Sequence, residues 1–167
     1  PPSPAPPAAN LSPIPRLEAQ FSSTQFPHIA ALCIDDDLST MCHTTRSTNP
    51  WLSVQMPSNP DSSLSHVVIY NRIDCCWDRL SPFQLWIGTS FGDYNSSTAK
   101  KCGVHDQIAP TSAGPFGFDC EGLTGTHVTI VLPGEDRILN LMEVRLFSQY
   151  ASPSPPPPSP PPPPSPA

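Results

Sequence analysis

The segment Trp51-Leu-Ser-Val-Gln-Met56 alternates with a period of two: Leu52, Val54 and Met56 fall on one face, Trp51, Ser53 and Gln55 on the other. That period belongs to a strand whose two faces meet different surroundings. Four further stretches are β-branched and apolar: Leu64-Ser-His-Val-Val-Ile-Tyr70, Phe83-Gln-Leu-Trp-Ile87, His127-Val-Thr-Ile-Val-Leu132 and Leu141-Met-Glu-Val-Arg-Leu-Phe147. Turn residues punctuate them at Pro57, Pro60, Gly88, Gly114-Pro115 and Pro133-Gly134. Short strands, turn signals and no long helical period predict an all-β chain, an antiparallel β-sandwich or jelly roll. Residues His28 to Leu32 read as one helical turn, and no internal repeat is visible.

Outward from this core the composition changes. The chain has 167 residues and 26 prolines, seven of them in the first sixteen residues and eleven in the last fifteen. Proline fixes φ and removes a donor, so these flanks are expected to be polyproline II spacers. The expected organisation is a Pro-rich linker over 1–16, one domain over 17–149 and a Ser-Pro and poly-Pro tail over 150–167. The central stretch is long enough to bury a core. Neither an initiator Met nor a signal h-region is present, so the chain reads as mature or as part of something longer.

Charge and cysteine usage narrow the function. Net charge is −6, and the largest basic cluster is Lys100-Lys101, which speaks against nucleic acid and anionic membranes as partners. No apolar run is long enough for a transmembrane span. Six cysteines, with the sequons Asn10-Leu-Ser12 and Asn95-Ser-Ser97, point to an oxidising, secretory setting and to glycosylation at Asn95 and Asn10. No C-x2-C pair suggests zinc. G-x-S-x-G, H-E-x-x-H and Gly-rich phosphate loops are absent, so a binding or structural role is expected rather than an enzyme.

The chemistry concentrates in Asn71-Arg-Ile-Asp-Cys-Cys-Trp-Asp-Arg79. Arginine presents a planar, permanently charged fork that can bridge vicinal hydroxyls. Hydrogen bonds to charged groups contribute ~1.5–3 kcal/mol, against ~0.5–1.5 for neutral ones. Asp74 stands between Arg72 and Arg79 and can hold a guanidinium in place. Adjacent cysteines seldom pair, and six cysteines allow fifteen pairings, so residues alone leave the connectivity open.

From about Gln20 to Phe147 the chain resembles the F-type lectins (fucolectins) of the discoidin, or F5/8 type C-like, fold. The resemblance rests on Ala19-Gln-Phe-Ser-Ser23, Cys42-His-Thr44, Asn49-Pro-Trp51, Asn71-Arg-Ile-Asp-Cys-Cys76 with Arg79, Leu123-Thr-Gly125, Val131-Leu-Pro-Gly134 and Leu141-Met-Glu-Val144. It includes a His followed by R-x-D-x4-R/K, met here by His43, Arg72, Asp74 and Arg79. It implies a discoidin-like sandwich in which His43, Arg72 and Arg79 contact an L-fucose-type sugar. Asp74 orients, and a Cys75–Cys76 disulfide packs against the ring. The resemblance also supports Cys102–Cys120. Met142 stands where the family has a cysteine, so a local Cys33–Cys42 bond is expected, the alternative being free or intermolecular thiols.

The same resemblance implies Ca²⁺ at Cys33-Ile-Asp-Asp-Asp-Leu38. Asp35, Asp37 and Glu143 match ligand positions, and the carbonyls of Leu32, Met41 and Met142 would complete a shell of hard oxygens. A hydroxyl position of the pattern is read here onto Met41, and Asp36 replaces a common glycine. The Ser-Pro tracts resemble the hydroxyproline-rich glycoproteins of green-algal and plant walls and matrices. The expectation is therefore a secreted, Ca²⁺-supported carbohydrate-binding module on a Pro-rich glycoprotein, with glycans as partners. The alternative is a structural module of an extracellular fibre or cell wall. It would associate with other copies of itself or with Pro-rich glycoproteins, without binding free sugar.

Overall fold

Alternating apolar residues build the strands of a computed structural model that describes residues 11–58, 63–72, 74–109 and 114–149. The strands are β1 (Leu11–Ile14), β2 (Glu18–Phe21), β3 (Cys42–His43), β4 (Trp51–Gln55), β5 (Ser63–Asn71), β6 (Gln84–Gly88), β7 (Lys100–Lys101), β8 (Phe116–Thr124), β9 (His127–Val131) and β10 (Asn140–Gln149). Two 3-10 turns, Ala30–Cys33 and Trp77–Leu80, interrupt them. One antiparallel sheet runs β1-β10-β5-β8, with β3 also on β10; the other runs β2-β4-β9-β6-β7. The expected antiparallel sandwich is present.

The period-two reading assigns the inner faces. Leu52, Val54, Leu85, Ile87, Val128 and Ile130 are buried from one sheet, and Val67, Ile69, Val144 and Leu146 from the other. Each such side chain contributes roughly 1.5–3 kcal/mol relative to exposure. Cys102, just past β7, bonds Cys120 on β8 and so ties the two sheets together. Phe83 meets Phe118 edge-to-face at 5.0 Å alongside it.

Two features depart from the sequence expectations. The domain begins earlier than residue 17: Leu11–Ile14 pair antiparallel with residues 146–149 of β10, and Ile14 is buried. Four residues of the expected linker are thus an edge strand, with Pro13 tolerated because edge strands spare a donor. Strand β8 was not expected either, since its Gly117, Asp119, Glu121 and Gly122 obscure any apolar alternation. The remaining Pro-rich flanks, their polyproline II reading and Asn10 lie outside the described residues.

A bulge shapes the central strand. Leu141 pairs with Asn71 and Glu143 with Tyr70, so β10 spends one extra residue, Met142. The side-chain alternation flips there. Leu141 and Val144 both serve the core, while Glu143 turns to the outer face of its sheet. It is nevertheless 0% exposed. Arg16, carried in by the chain between β1 and β2, ion-pairs with Glu143 and donates to the Val144 carbonyl at 2.7 Å. The Asp36 amide donates to the second Glu143 oxygen at 2.9 Å. Burial raises the Glu143 carboxyl above its usual value, against the pull of Arg16.

Arg16→Met strands this carboxylate. We expect a loss of about 3–5 kcal/mol in urea denaturation, as for a buried pair deprived of one partner. The double variant Arg16→Met, Glu143→Leu is expected to recover most of it.

Candidate functional site

The site residues come from three separate stretches that meet at the start of β10. Asn140 pairs with His43 of β3, and Leu141 pairs on one side with Cys42 and on the other with Asn71, the last residue of β5. Pairing to β10 therefore delivers His43 and the segment entering Arg72 to opposite edges of one strand. Asn71 shapes the loop that follows. Its amide donates to the Trp77 carbonyl at 2.9 Å, and its side-chain oxygen accepts the Arg72 amide at 2.9 Å. Arg79 sits on the turn Trp77–Leu80 and reaches Asn140 Oδ1 at 3.4 Å.

Each side chain is held in a defined state. Arg72 grips Asp74 in a fork, Nε to Oδ1 at 2.6 Å and Nη2 to Oδ2 at 2.9 Å. This guanidinium lowers the Asp74 carboxyl to about 2. The pair fixes Arg72 with its remaining donors available, as expected of an orienting carboxylate. Cys75 and Cys76 are bonded and partly exposed, with Cys76 in the left-handed region at φ 65°. A non-glycine residue rarely adopts that conformation; here the closed ring and the turn impose it. Trp77 is 38% exposed beside the ring.

His43 Nδ1 lies 2.6 Å from the Thr44 carbonyl, so Nδ1 carries the proton and Nε2 is left as an acceptor. Desolvation lowers the imidazole below its usual value despite the Thr44 carbonyl, and Arg79, Arg72 and His28 lower it further. The arrangement offers two fixed cationic donors, one neutral acceptor and an apolar disulfide edge. That combination suits a polar ligand with several adjacent hydroxyls.

The expected metal set does not converge as one group. Among the described residues no three His, Cys, Asp or Glu side chains are arranged to hold a metal. Instead Leu32 O, Asp35 Oδ1, Asp35 Oδ2 and Asp37 O lie 3.3, 3.1, 2.9 and 2.9 Å from the Thr40 hydroxyl. Four acceptors crowd a group that owns one proton. Asp35 Oδ1 and the Asp37 carbonyl also accept the Asp37 and Thr40 amides, at 3.0 and 3.2 Å, while Leu32 O and Asp35 Oδ2 share the single hydroxyl proton, a cluster of hard oxygens of the kind a hard cation takes. Asp37 turns its carbonyl to Thr40, while Oδ1 of its carboxylate accepts from the Ser39 amide and hydroxyl at 2.8 and 2.6 Å. Glu143 is taken by Arg16 and the Asp36 amide. Met41 and Met142, with Ser39 and Asp74, line a cleft of about 330 Å³ that joins this loop to the Arg72 loop.

All three expected disulfides are present, and Cys33–Cys42 closes the acidic loop directly onto His43. Asn95 is exposed. Sequence reasoning missed Thr40, Asn71 and Asn140 as site residues. Thr40 had a readable signal, a hydroxyl five residues after Asp35. Asn140 had none: it is 3% exposed and its role follows from pairing.

The lowered value of His43 makes a pH prediction. Its neutral form is favoured by the fold, so this contribution to stability is intact above 6.5 and is lost as pH falls and the unfolded chain takes up the proton first. Nitrogen-resolved NMR is expected to show an Nδ1–H tautomer at pH 7 and a titration midpoint below 6.5.

Comparison with known proteins agrees with this geometry. The family model described as the NedA-like, galactose-binding domain of the F5/8 type C group matches residues 32–130. The chain is 33% identical over 109 residues to a pentraxin fusion protein of Xenopus laevis, covering 64% of this chain and 24% of that one. It is 32% identical over 114 residues to fucolectin-1 of Anguilla japonica, covering 67% of this chain and 61% of that one. It therefore spans less than two thirds of either relative. Among solved structures, the Streptococcus pneumoniae fucose binding module SpX-3 superposes with a TM-score of 0.64 at 26% identity, covering 78% of this chain and 93% of that one. The chain belongs to the F5/8 type C family of NedA-like, galactose-binding domains.

Proposed function

We propose that the chain is an extracellular carbohydrate-binding module for an L-fucose-type sugar. The observation that carries this reading is the convergence of His43, Arg72, Arg79 and the Cys75–Cys76 ring at the start of β10. Water competes for every sugar hydroxyl, so a site gains by presenting charged donors already fixed in place. Arg72 is fixed by Asp74, and Arg79 is steadied by Asn140. His43 Nε2 accepts one hydroxyl proton, the guanidinium N–H groups donate to neighbouring oxygens, and the disulfide covers an apolar face of the ring. Relatives named fucolectin and a module named for fucose binding support the choice of sugar.

In this reading Ca²⁺ is the supporting ion, held by Leu32 O, Asp35, Asp37 O and Thr40. It would neutralise the crowded oxygens and stiffen the loop that ends at His43. Three disulfides and no free cysteine suit a secreted protein. The exposed Asn95 is the glycosylation site this setting implies.

Calorimetric titration with L-fucose tests the reading. Arg72→Ala is expected to weaken binding at least tenfold, with the fold unchanged by circular dichroism. A folded protein that gives no heat with fucose or galactose sinks the proposal. For the ion, thermal unfolding in calcium and then in EDTA is the readout. Wild type is expected to unfold at lower temperature in EDTA, and Asp35→Asn is expected to remove that difference.

A further inference from the structure

Beside the sugar site lies a second feature that a neutral sugar does not need. Of the eight Lys and Arg residues, Arg16, Arg72, Lys101 and Arg145 each have a carboxylate within 4.0 Å. Among the described residues, Arg46, Arg79, Arg137 and the exposed Lys100 have none within that distance, and the three arginines lie together. These three line one small cleft of about 80 Å³ with Asp136 and Ile138. On a protein of net charge −6, an uncompensated cationic locus is notable for where it falls: Arg79 belongs to both the cleft and the sugar site.

The three guanidiniums differ in freedom. Arg137 is locked by carbonyls, donating to Pro133 O at 2.8 Å, Arg79 O at 3.1 Å and Pro82 O at 3.0 Å. It supplies a fixed charge. Among the described residues, the exposed Arg46 guanidinium donates only to the Asp136 carbonyl, at 3.1 Å, and the Arg79 guanidinium only to Asn140 Oδ1, at 3.4 Å. Both retain N–H pairs suited to a forked hydrogen bond to an anionic oxyacid. The opposing charges are Asp136 and Glu135 on the adjoining turn, both exposed, and Asp78 beside Arg79. Neither carboxylate of that turn pairs with these arginines. The cleft holds the volume of about two or three waters, at ~30 Å³ each, which is room for a carboxylate or sulfate group and not for a sugar ring.

We infer that the cleft of Arg46, Arg79 and Arg137 is an anion subsite, so that the preferred ligand is an acidic saccharide whose carboxylate or sulfate sits beside the ring held by His43, Arg72 and Arg79. The inference rests on the sugar-binding reading above and adds the charge class of the ligand. Its recognition element is the fork of Arg46 and Arg79 in the field of Arg137.

Calorimetry on the full chain tests it with three probes: L-fucose, trigalacturonate for the carboxylate and a sulfated fucose disaccharide for the sulfate. At least one acidic probe is expected to bind about tenfold more tightly than L-fucose, with the advantage shrinking as salt rises. The probe that shows it names the group. Arg46→Ala is expected to abolish the advantage and leave L-fucose affinity unchanged. Lys100→Ala, which removes a cation outside the cleft, is expected to change nothing. Acidic probes no tighter than L-fucose, or an advantage that survives Arg46→Ala or falls equally in Lys100→Ala, overturn the subsite while leaving the fucose reading intact. Acidic probes that bind through Arg46 while L-fucose gives no heat uphold the subsite and overturn fucose as the sugar. No binding of any probe overturns both.

Discussion

A carboxylate sealed from water makes demands on everything around it. Glu143 is such a group, placed on the outer face of its sheet by the bulge at Met142 and 0% exposed. An isolated buried carboxylate would simply neutralise, or the site would open. Instead the chain before β2 supplies Arg16, and the acidic loop supplies the Asp36 amide. One requirement thereby fastens the N-terminal segment and the acidic loop to the central strand. The Cys33–Cys42 bond then closes that loop at the residue before His43. The position of His43 is thus tied, through the acidic loop, to how the Glu143 carboxylate on β10 is satisfied.

Strand β10 is the common reference for the rest of the site. One of its edges is shared by β1 and β3, and the other is taken by β5. Backbone pairing is a stiff way to place side chains, because strand register leaves no intermediate positions. His43 and Arg72 therefore arrive at fixed offsets from Asn140. The loop between Asn71 and Trp77 is short, closed by its own disulfide and by the Asn71 amide. A site built this way is largely organised before a ligand arrives, which lowers the ordering cost of binding.

Charge is distributed with the same economy. Half of the eight Lys and Arg residues, Arg16, Arg72, Lys101 and Arg145, are matched by carboxylates. Arg72 is the clearest case, neutralised and aimed by Asp74. Arg79 is not neutralised, and His43 feels both arginines. A weakly compensated positive field next to a neutral imidazole distinguishes this surface from the rest of the molecule.

Much of this was legible in the residues. A period-two run located β4, and β-branched, apolar runs located β5, β6, β9 and β10, because those strands face a core on at least one side. The R-x-D-C-C segment with Arg79 was legible because its members lie within one loop, and local spacing survives folding. Edge elements were not legible. β1 hides in a Pro-rich stretch, β8 in a run with glycines and charges, and both owe their pairing to neighbours distant in sequence.

The sequence by itself determined the fold class and the residue types of the candidate site, since these follow from local pattern and contiguous motifs; the cysteine pairs it left open, and the resemblance only implied them. Only the tertiary structure decided that Glu143 answers to Arg16, that Thr40 gathers the oxygens of the acidic loop, and that Arg46, Arg79 and Arg137 share a cleft. Those relations join residues up to 127 positions apart. Their cause is strand register and burial, which no window along the chain contains.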